Sequence, residues 1–386
     1  MTSHKAVART ALALTLVMGA AACGDDGGGS TTGAQGAASP AAASGAIAEA
    51  RTTVADYSKP PTSIGITAPL SRRPDPGKRI VVVQSAEPTS LKTDAGLREG
   101  VEALGWTLEV VQEGTGPEDP AKAFGQALDK KPDAVVISGN PLSTMRAQVE
   151  RAKAENIIVI QADTGETVGK DGSVYTLSLD DFNQTGLWGK MIADYVAVAG
   201  SKRTLIVDLS LYPILHAFTE GTQKQLAKVS PDTKVDVLDI AISDFIAGKV
   251  PGAIVSELQR KPDTDWIVLS LGDMATGLDA ALRGAGLAGK IKIGGESAST
   301  PNIESLRKKD HTVYTGFAAL PHGWRRADAL ARIFNGDPLD PNNASTLPTQ
   351  LLTQDNIGTA PLDQDGYYVG VTDFREQYKK LWKLAG

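Results

Sequence analysis

The sequence predicts an α/β protein built as two doubly wound, parallel-sheet lobes. Three observations carry this. From residue 79 onward, short runs of β-branched residues alternate with stretches of helical periodicity. The alternation passes through five strand-like segments and then starts again through five more. The roughly 300 residues involved are more than one ordinary core organises, and fit two.

The first half opens on Ile80, Val81, Val82 and Val83, an unbroken apolar run of the kind a strand shows when both its faces are covered. A helix over 89–104 follows, with Leu91, Ala95, Leu97, Val101 and Leu104 at helical spacing. Strand 108–111, helix 119–128, strand 134–137, helix 143–154, strand 157–160 and strand 174–179 complete this half. In the second half, helix 185–199 leads to strand 204–207, helix 214–229, strand 235–240, helix 247–260 and strand 266–271. Helix 274–286, strand 290–294, helix 301–308 and strand 312–317 finish it. Strands alternating with helices in this way make parallel sheets with helices on both faces. Such sheets bind ligands at the carboxyl ends of their strands.

Ahead of this pattern, Lys5 and Arg9 precede an apolar run at 11–22 that has the length of a secretory signal and is short for a membrane span. Residues 1–22 are therefore expected to be an export signal. Cys23, the one cysteine in the chain, follows Ala20, Ala21 and Ala22. A lone thiol makes no internal disulfide and no cysteine zinc cluster. Small residues before a cysteine at such a cleavage site resemble the bacterial lipobox, with Ala20 where Leu is usual. That resemblance implies lipidation of Cys23 and an anchor in the cell membrane. Residues 24–56 are mostly Gly, Ala, Ser and Thr, and 57–78 are rich in Pro and charge. The stretch 23–78 reads as a disordered tether with a reach of roughly 40 Å.

The formal charge of −6 and pI of 5.4 argue against nucleic acid as a partner. No Gly-x-Ser-x-Gly elbow and no His-Glu-x-x-His occurs. Residues 165–170 (GETVGK) are one residue short of a phosphate loop and are followed by Asp171. The expectation is a protein that binds and does not catalyse, with no cofactor and no metal.

Several segments, in this order and spacing, resemble the type I periplasmic-binding-protein family, in particular its ribose-like sugar binders. They are RIVVVQS at 79–85, KKPDAVVIS at 130–138, AENIIVIQAD at 154–163, DFNQTG at 181–186, WIVLSLGD at 266–273, IGGE at 293–296, and Leu320-Pro321. The resemblance implies two lobes joined by a three-strand hinge, with the first lobe formed by 79–180 plus 320–352 and the second by 181–319 plus 353–386. It also implies an extracytoplasmic, monomeric solute-binding lipoprotein that serves the permease of an ABC importer. A sensory module feeding a membrane receptor, or a binder of a non-carbohydrate solute, remains the alternative.

Family ligands sit between the lobes. The matching positions are Ser85, Glu87, Asn140 and Asp163 in the first lobe and Asp181 and Phe182 at the first crossing. In the second lobe they are Tyr212, His216, Asp273, Glu296 and Phe317. Each has a plainer reading. Glu87 before Pro88 suits a helix start, Asn140-Pro141 a turn, and Asp181 a helix cap. His216 suits a helix surface, and Phe182 and Phe317 suit a core. Thr89 and Ser90 replace the aromatic pair frequent in sugar binders, and Thr164, His216 and Ala319 stand where the family often has Arg, Arg and Gln. Fewer hydrogen-bonding groups, and the carboxylates of Glu87, Asp163, Asp181 and Glu296, favour a sugar-like or modified polyol ligand over a bare anion or an unmodified pentose.

Overall fold

The computed structural model describes residues 40–114, 116, 118–178, 182–343 and 346–384. Its first element, α1 (Pro40–Tyr57), precedes the two predicted lobes. The first lobe then runs β1 (Arg79–Gln84), α2 (Pro88–Ala103), β2 (Thr107–Gln112), α3 (Asp119–Asp129), β3 (Ala134–Ser138), α4 (Arg146–Ala154), β4 (Ile158–Ala162), β5 (Gly169–Asp171) and β6 (Val174–Thr176). Its strand order is β2-β1-β3-β4-β6-β5, parallel except for the β5–β6 hairpin.

The second lobe runs α5 (Phe182–Val198), β7 (Arg203–Asp208), α6 (Pro213–Val229), β8 (Lys234–Asp239), α7 (Ile242–Ile246), α8 (Val250–Arg260), β9 (Trp266–Leu269), α9 (Leu278–Gly284), β10 (Lys292–Gly295), α10 (Thr300–Arg307) and β11 (Val313–Thr315). The chain continues through α11 (Ala319–Asn335), α12 (Asp340–Asn343), β12 (Leu351–Thr353) and α13 (Phe374–Leu381). The second sheet has the order β12-β11-β10-β9-β7-β8, with only its β11–β12 pair antiparallel among the described strands.

The unbroken apolar runs follow from two covered faces. On β1, Ile80 and Val82 enter the core under α2 and α11, while Val81 and Val83 enter the one under α3 and α4. On β9, Trp266 and Val268 point to one side and Ile267 and Leu269 to the other. Each such side chain contributes roughly 1.5–3 kcal/mol by leaving water. In the first lobe α2 and α11 approach closely enough to require glycine. A Cβ on Gly96 would lie 2.2 Å from the Leu320 carbonyl oxygen, and one on Gly323 would lie 2.1 Å from that of Thr93.

The path differs from expectation in three places. β6 belongs to the first sheet and α5 packs on the second, while α11, after β11, packs again on the first-lobe core. Segment 348–352 does not complete the first lobe, however. β12 pairs with β11 in the register Tyr314↔Leu352, and Leu347 and Leu351 are buried in the second-lobe core. Nor does the whole of 353–386 belong to the second lobe. Phe374, Tyr378 and Leu381 form one apolar stripe on α13 that packs into the first-lobe core. There Trp382 stacks on Trp324 at 5.2 Å and 7°.

The largest departure concerns the expected tether. From residue 40 onward it is built into the fold. Ile47, Ala50, Val54 and Tyr57 recur at near-helical spacing and pack α1 against the second-lobe core. Ile64, Ile66 and Leu70 are buried in the first-lobe core. A low density of large apolar residues was enough, because the few present fall on one face. Residues 1–39, including Cys23 and the expected signal, lie outside the described residues, as does Asp181.

Candidate functional site

The carboxyl ends of the parallel strands in both sheets carry the polar groups that face one another. After β1, Glu87 caps α2. Its Oε1 accepts from the Thr89 N–H at 2.8 Å and its Oε2 from the Ser90 N–H at 2.7 Å, with Pro88 as the first helical residue. Ser85 supports the turn, its Oγ accepting from the Glu87 N–H at 3.2 Å. The capping role leaves Glu87 facing the second lobe, where its carboxylate neighbours Asp273.

Asp273 sits in a tight turn after β9 and also meets Ser299. Burial, and then the neighbouring Glu87 carboxylate, push its carboxyl up to about 7. Two carboxyl groups from opposite lobes thus lie close together. Tyr367 lies beside both acids and over the Lys92 ammonium, 5.0 Å from nitrogen to ring centre. Lys92 in turn pairs with Asp363 and Asp365, both at 2.7 Å.

After β2 and β3, the Asn140 amide donates to Glu113 Oε2 at 2.9 Å, and burial raises the Glu113 carboxyl above its usual range. Glu113 reaches toward Tyr212 of the second lobe closely enough to raise that phenol, whose burial is the larger cause. After β4, Asp163 adopts a left-handed backbone, with φ 62°. Its carboxylate is held from α11, by Arg326 at Oδ2 and with His322 Nε2 3.1 Å from Oδ1. Burial alone would raise this carboxyl, but Arg326 and His322 outweigh it and hold it below the usual range. Burial lowers the His322 imidazole below its usual value, and Arg326 also reaches Asp94 at 3.3 Å. The arginine missing at position 164 therefore has a counterpart one helix away. The His322–Arg326 spacing, one helical turn, was the sequence signal for it.

In the second lobe Tyr212 begins α6, and His216 stands one turn in. The imidazole Nδ1 lies 2.6 Å from Asp208 Oδ2, and that hydrogen bond raises its pKa. Glu296, after β10, is 2% exposed and accepts from Ser297 Oγ at 3.3 Å. Phe317 is core-packed, edge-on to Trp188 at 5.9 Å and to His322 at 5.3 Å. Phe182 is 46% exposed and spans the lobes: a Cβ on Gly165 would lie 2.3 Å from its ring.

The structure thus gathers Ser85, Glu87, Asn140, Tyr212 and Asp273 with Glu113 and Tyr367, which sequence reasoning missed. Glu113 was hidden as the residue after an unremarked strand end, and Tyr367 arrives from a connection the sequence assigned no site role. The lobes are drawn together here, and the open space lies beside the contact. A hollow of about 430 Å³ beside the Phe182 ring is lined by Phe182 together with Pro213, His216, Ala217, Glu220, Gly221 and Lys224 of α6. A larger one, about 510 Å³, lies within the first lobe between α4 and the β5–β6 hairpin, away from the facing acids. Among the described residues no His, Cys, Asp and Glu side chains group as a metal site, and no helix is long and apolar enough to cross a membrane.

Residues 80–338 match the family model described as a periplasmic binding protein domain. Solved structures share the fold. A myo-inositol binding protein from Caulobacter has TM-score 0.62 and 18% identity, with 73% of this chain and 95% of that one covered. A 5-methylthioribose transporter solute binding protein from Thermotoga lettingae has TM-score 0.61 and 16% identity, covering 82% and 100%. A periplasmic ribose ABC transporter protein from Conexibacter woesei has TM-score 0.59 and 17% identity, covering 74% and 95%. No curated protein matches the sequence. With its two strand-end faces turned toward each other and more than half its length matched, the chain belongs to the periplasmic binding protein family, in the two-lobed type I form.

Proposed function

We propose that this chain is the extracytoplasmic solute-binding lipoprotein of an ABC importer. It captures a sugar-like or modified polyol molecule between its lobes and passes it to a membrane permease without chemical change. The observation that carries this reading is the meeting of Glu87 and Asp273 across the cleft. Acceptors fixed on opposite lobes can be joined by a ligand that donates to both, and such bridging favours the closed form.

The acids disfavour an anionic solute. Glu87, Glu113, Asp273 and Glu296 surround the strand ends, while Arg326 and Lys92 are already engaged with carboxylates. The exposed Phe182 ring, with Pro213 and Ala217 in the hollow beside it, favours a ligand with an apolar substituent on a hydroxylated body. The solved relatives described as binding myo-inositol and 5-methylthioribose are consistent with that class. Cys23, following small residues at an export-like segment, supplies the anchor. A thermal-shift panel of sugars, polyols, alkylated sugars and aromatic acids tests the reading, since a ligand at 100 times its Kd stabilises by about 2.7 kcal/mol. Stabilisation by a hydroxylated neutral compound is expected. Stabilisation by an aromatic acid alone would overturn the ligand class.

A further inference from the structure

Residues 40–78 lie before the matched family domain, which starts at residue 80, yet they touch both lobes. α1 is fastened to the second lobe. Its apolar stripe enters that core, Lys228 pairs with Glu49 at 3.1 Å, and Lys190 Nζ donates to Thr53 Oγ1 at 3.1 Å. Just past the helix, the Ser58 carbonyl accepts from Gln350 Nε2 at 2.9 Å and from Asn356 Nδ2 at 3.0 Å. Both donors flank β12 of the second sheet.

Four residues later the chain is fastened to the other lobe. Gln377 on α13 donates from Nε2 to the Thr62 carbonyl at 3.1 Å and accepts at Oε1 from the Ile64 N–H at 3.1 Å. Ile64, Ile66 and Leu70 then bury their side chains in the first-lobe core. Beyond them Arg332 Nη2 donates to the Ala68 carbonyl at 2.7 Å, the Leu70 N–H donates to the Leu381 carbonyl at 2.9 Å, and Trp106 Nε1 donates to the Asp75 carbonyl at 2.7 Å.

Between the Ser58 and Thr62 anchors stand only Lys59, Pro60 and Pro61. Four residue steps span at most about 14 Å when fully extended. The two prolines hold φ near −65° and bias the residues before them to extended backbone. The link is therefore short in reach and stiff in backbone. The anchors on its two sides cannot separate far without breaking hydrogen bonds or pulling apolar side chains from a core.

We propose that residues 40–78 act as a clasp whose short proline strut, Ser58 to Thr62, limits how far the two lobes open. The device belongs to this chain's N-terminal segment and operates whatever solute the cleft takes. Opening then proceeds as a rotation constrained at the strut, and the ligand-free protein occupies a narrow range of lobe angles.

The test uses the full chain with Cys23→Ser and spin labels at Glu118→Cys and Ile246→Cys, two exposed positions beyond the ends of the edge strands β2 and β8. Distance distributions are measured by pulsed electron paramagnetic resonance without ligand. One variant carries Pro60→Gly with Pro61→Gly. A second carries a protease site between residues 60 and 61, cut after purification so that folding precedes the break. The expected result is a narrow distribution for the parent and, for both variants, longer distances with a width increased at least about twofold, because glycine and a free end restore chain freedom. Circular dichroism should be unchanged. Distributions that coincide for parent, glycine variant and cut protein overturn the proposal, and so does a variant that melts lower while its distances stay the same. If the cut protein loses its circular dichroism signal, the glycine variant's distances decide.

Discussion

Replacing Asp273 by Asn should remove a pH dependence from lobe closure. Asp273 lies beside Glu87 of the other lobe, and its carboxyl is raised to about 7 by burial first and by Glu87 second. The groups around it are Ser299 at the start of α10, Tyr367 beside both acids, and the buried Tyr314 phenol behind. The nearby Lys92 charge is already held by Asp363 and Asp365. A carboxyl raised above its ordinary value binds its proton more tightly in the closed form. Its stabilisation is therefore complete below about pH 4, falls as pH rises, and is lost above about pH 7. A carboxyl held at about 7 instead of its ordinary value corresponds to at most about 4 kcal/mol. Much of that is burial within the second lobe, which persists on opening, so the share belonging to the contact with Glu87 is about 1–2 kcal/mol, or five- to thirty-fold in the closed-to-open ratio. Small-angle scattering between pH 5 and 9 should show the ligand-free radius of gyration rising through neutrality. An Asn at 273 donates to Glu87 at every pH, so the variant's radius should stay constant. Equal pH slopes for the two proteins would refute the reasoning.

Cys23→Ser should move the protein from the membrane fraction to the soluble fraction on cell fractionation, and retention like the parent's would contradict lipidation. Arg326→Ala leaves Asp163 and Asp94 buried without their guanidinium, so urea unfolding should show a loss of about 3–5 kcal/mol. Gly96→Leu forces a side chain onto the Leu320 backbone, and should lower stability by at least about 1–3 kcal/mol in the same assay.

The two-lobed architecture was legible because covered strands must be continuously apolar, and β1, β3, β7 and β9 announce themselves that way. What escaped were elements whose signal is short or borrowed. β12 is three residues long, and Leu351 and Leu352 suit a strand in either sheet until the partner is known. α1 carries so much alanine and glycine that composition reads as tether, although Ile47, Val54 and Tyr57 mark a helix face. At the site, strand ends located Glu87, Asn140 and Asp163, since position on a parallel sheet fixes which loops face the cleft. The contacts among them were not legible. Asp163 takes its partners from α11, more than 150 residues away in sequence. Asp273 finds Glu87 only when the lobes meet. Such pairings depend on tertiary approach, which neither periodicity nor spacing encodes.

The proposed function is capture of a small solute in the cleft and its release unchanged. Mass spectrometry of molecules freed by denaturing the protein purified from its native host tests this most directly. The account predicts a single hydroxylated, non-anionic compound at close to one per chain, chemically intact after prolonged incubation with fresh protein. Its yield should fall when Glu87 and Asp273 are both replaced by alanine. Recovery of a chemically converted product, or of the same compound in equal yield from the double variant, would contradict it.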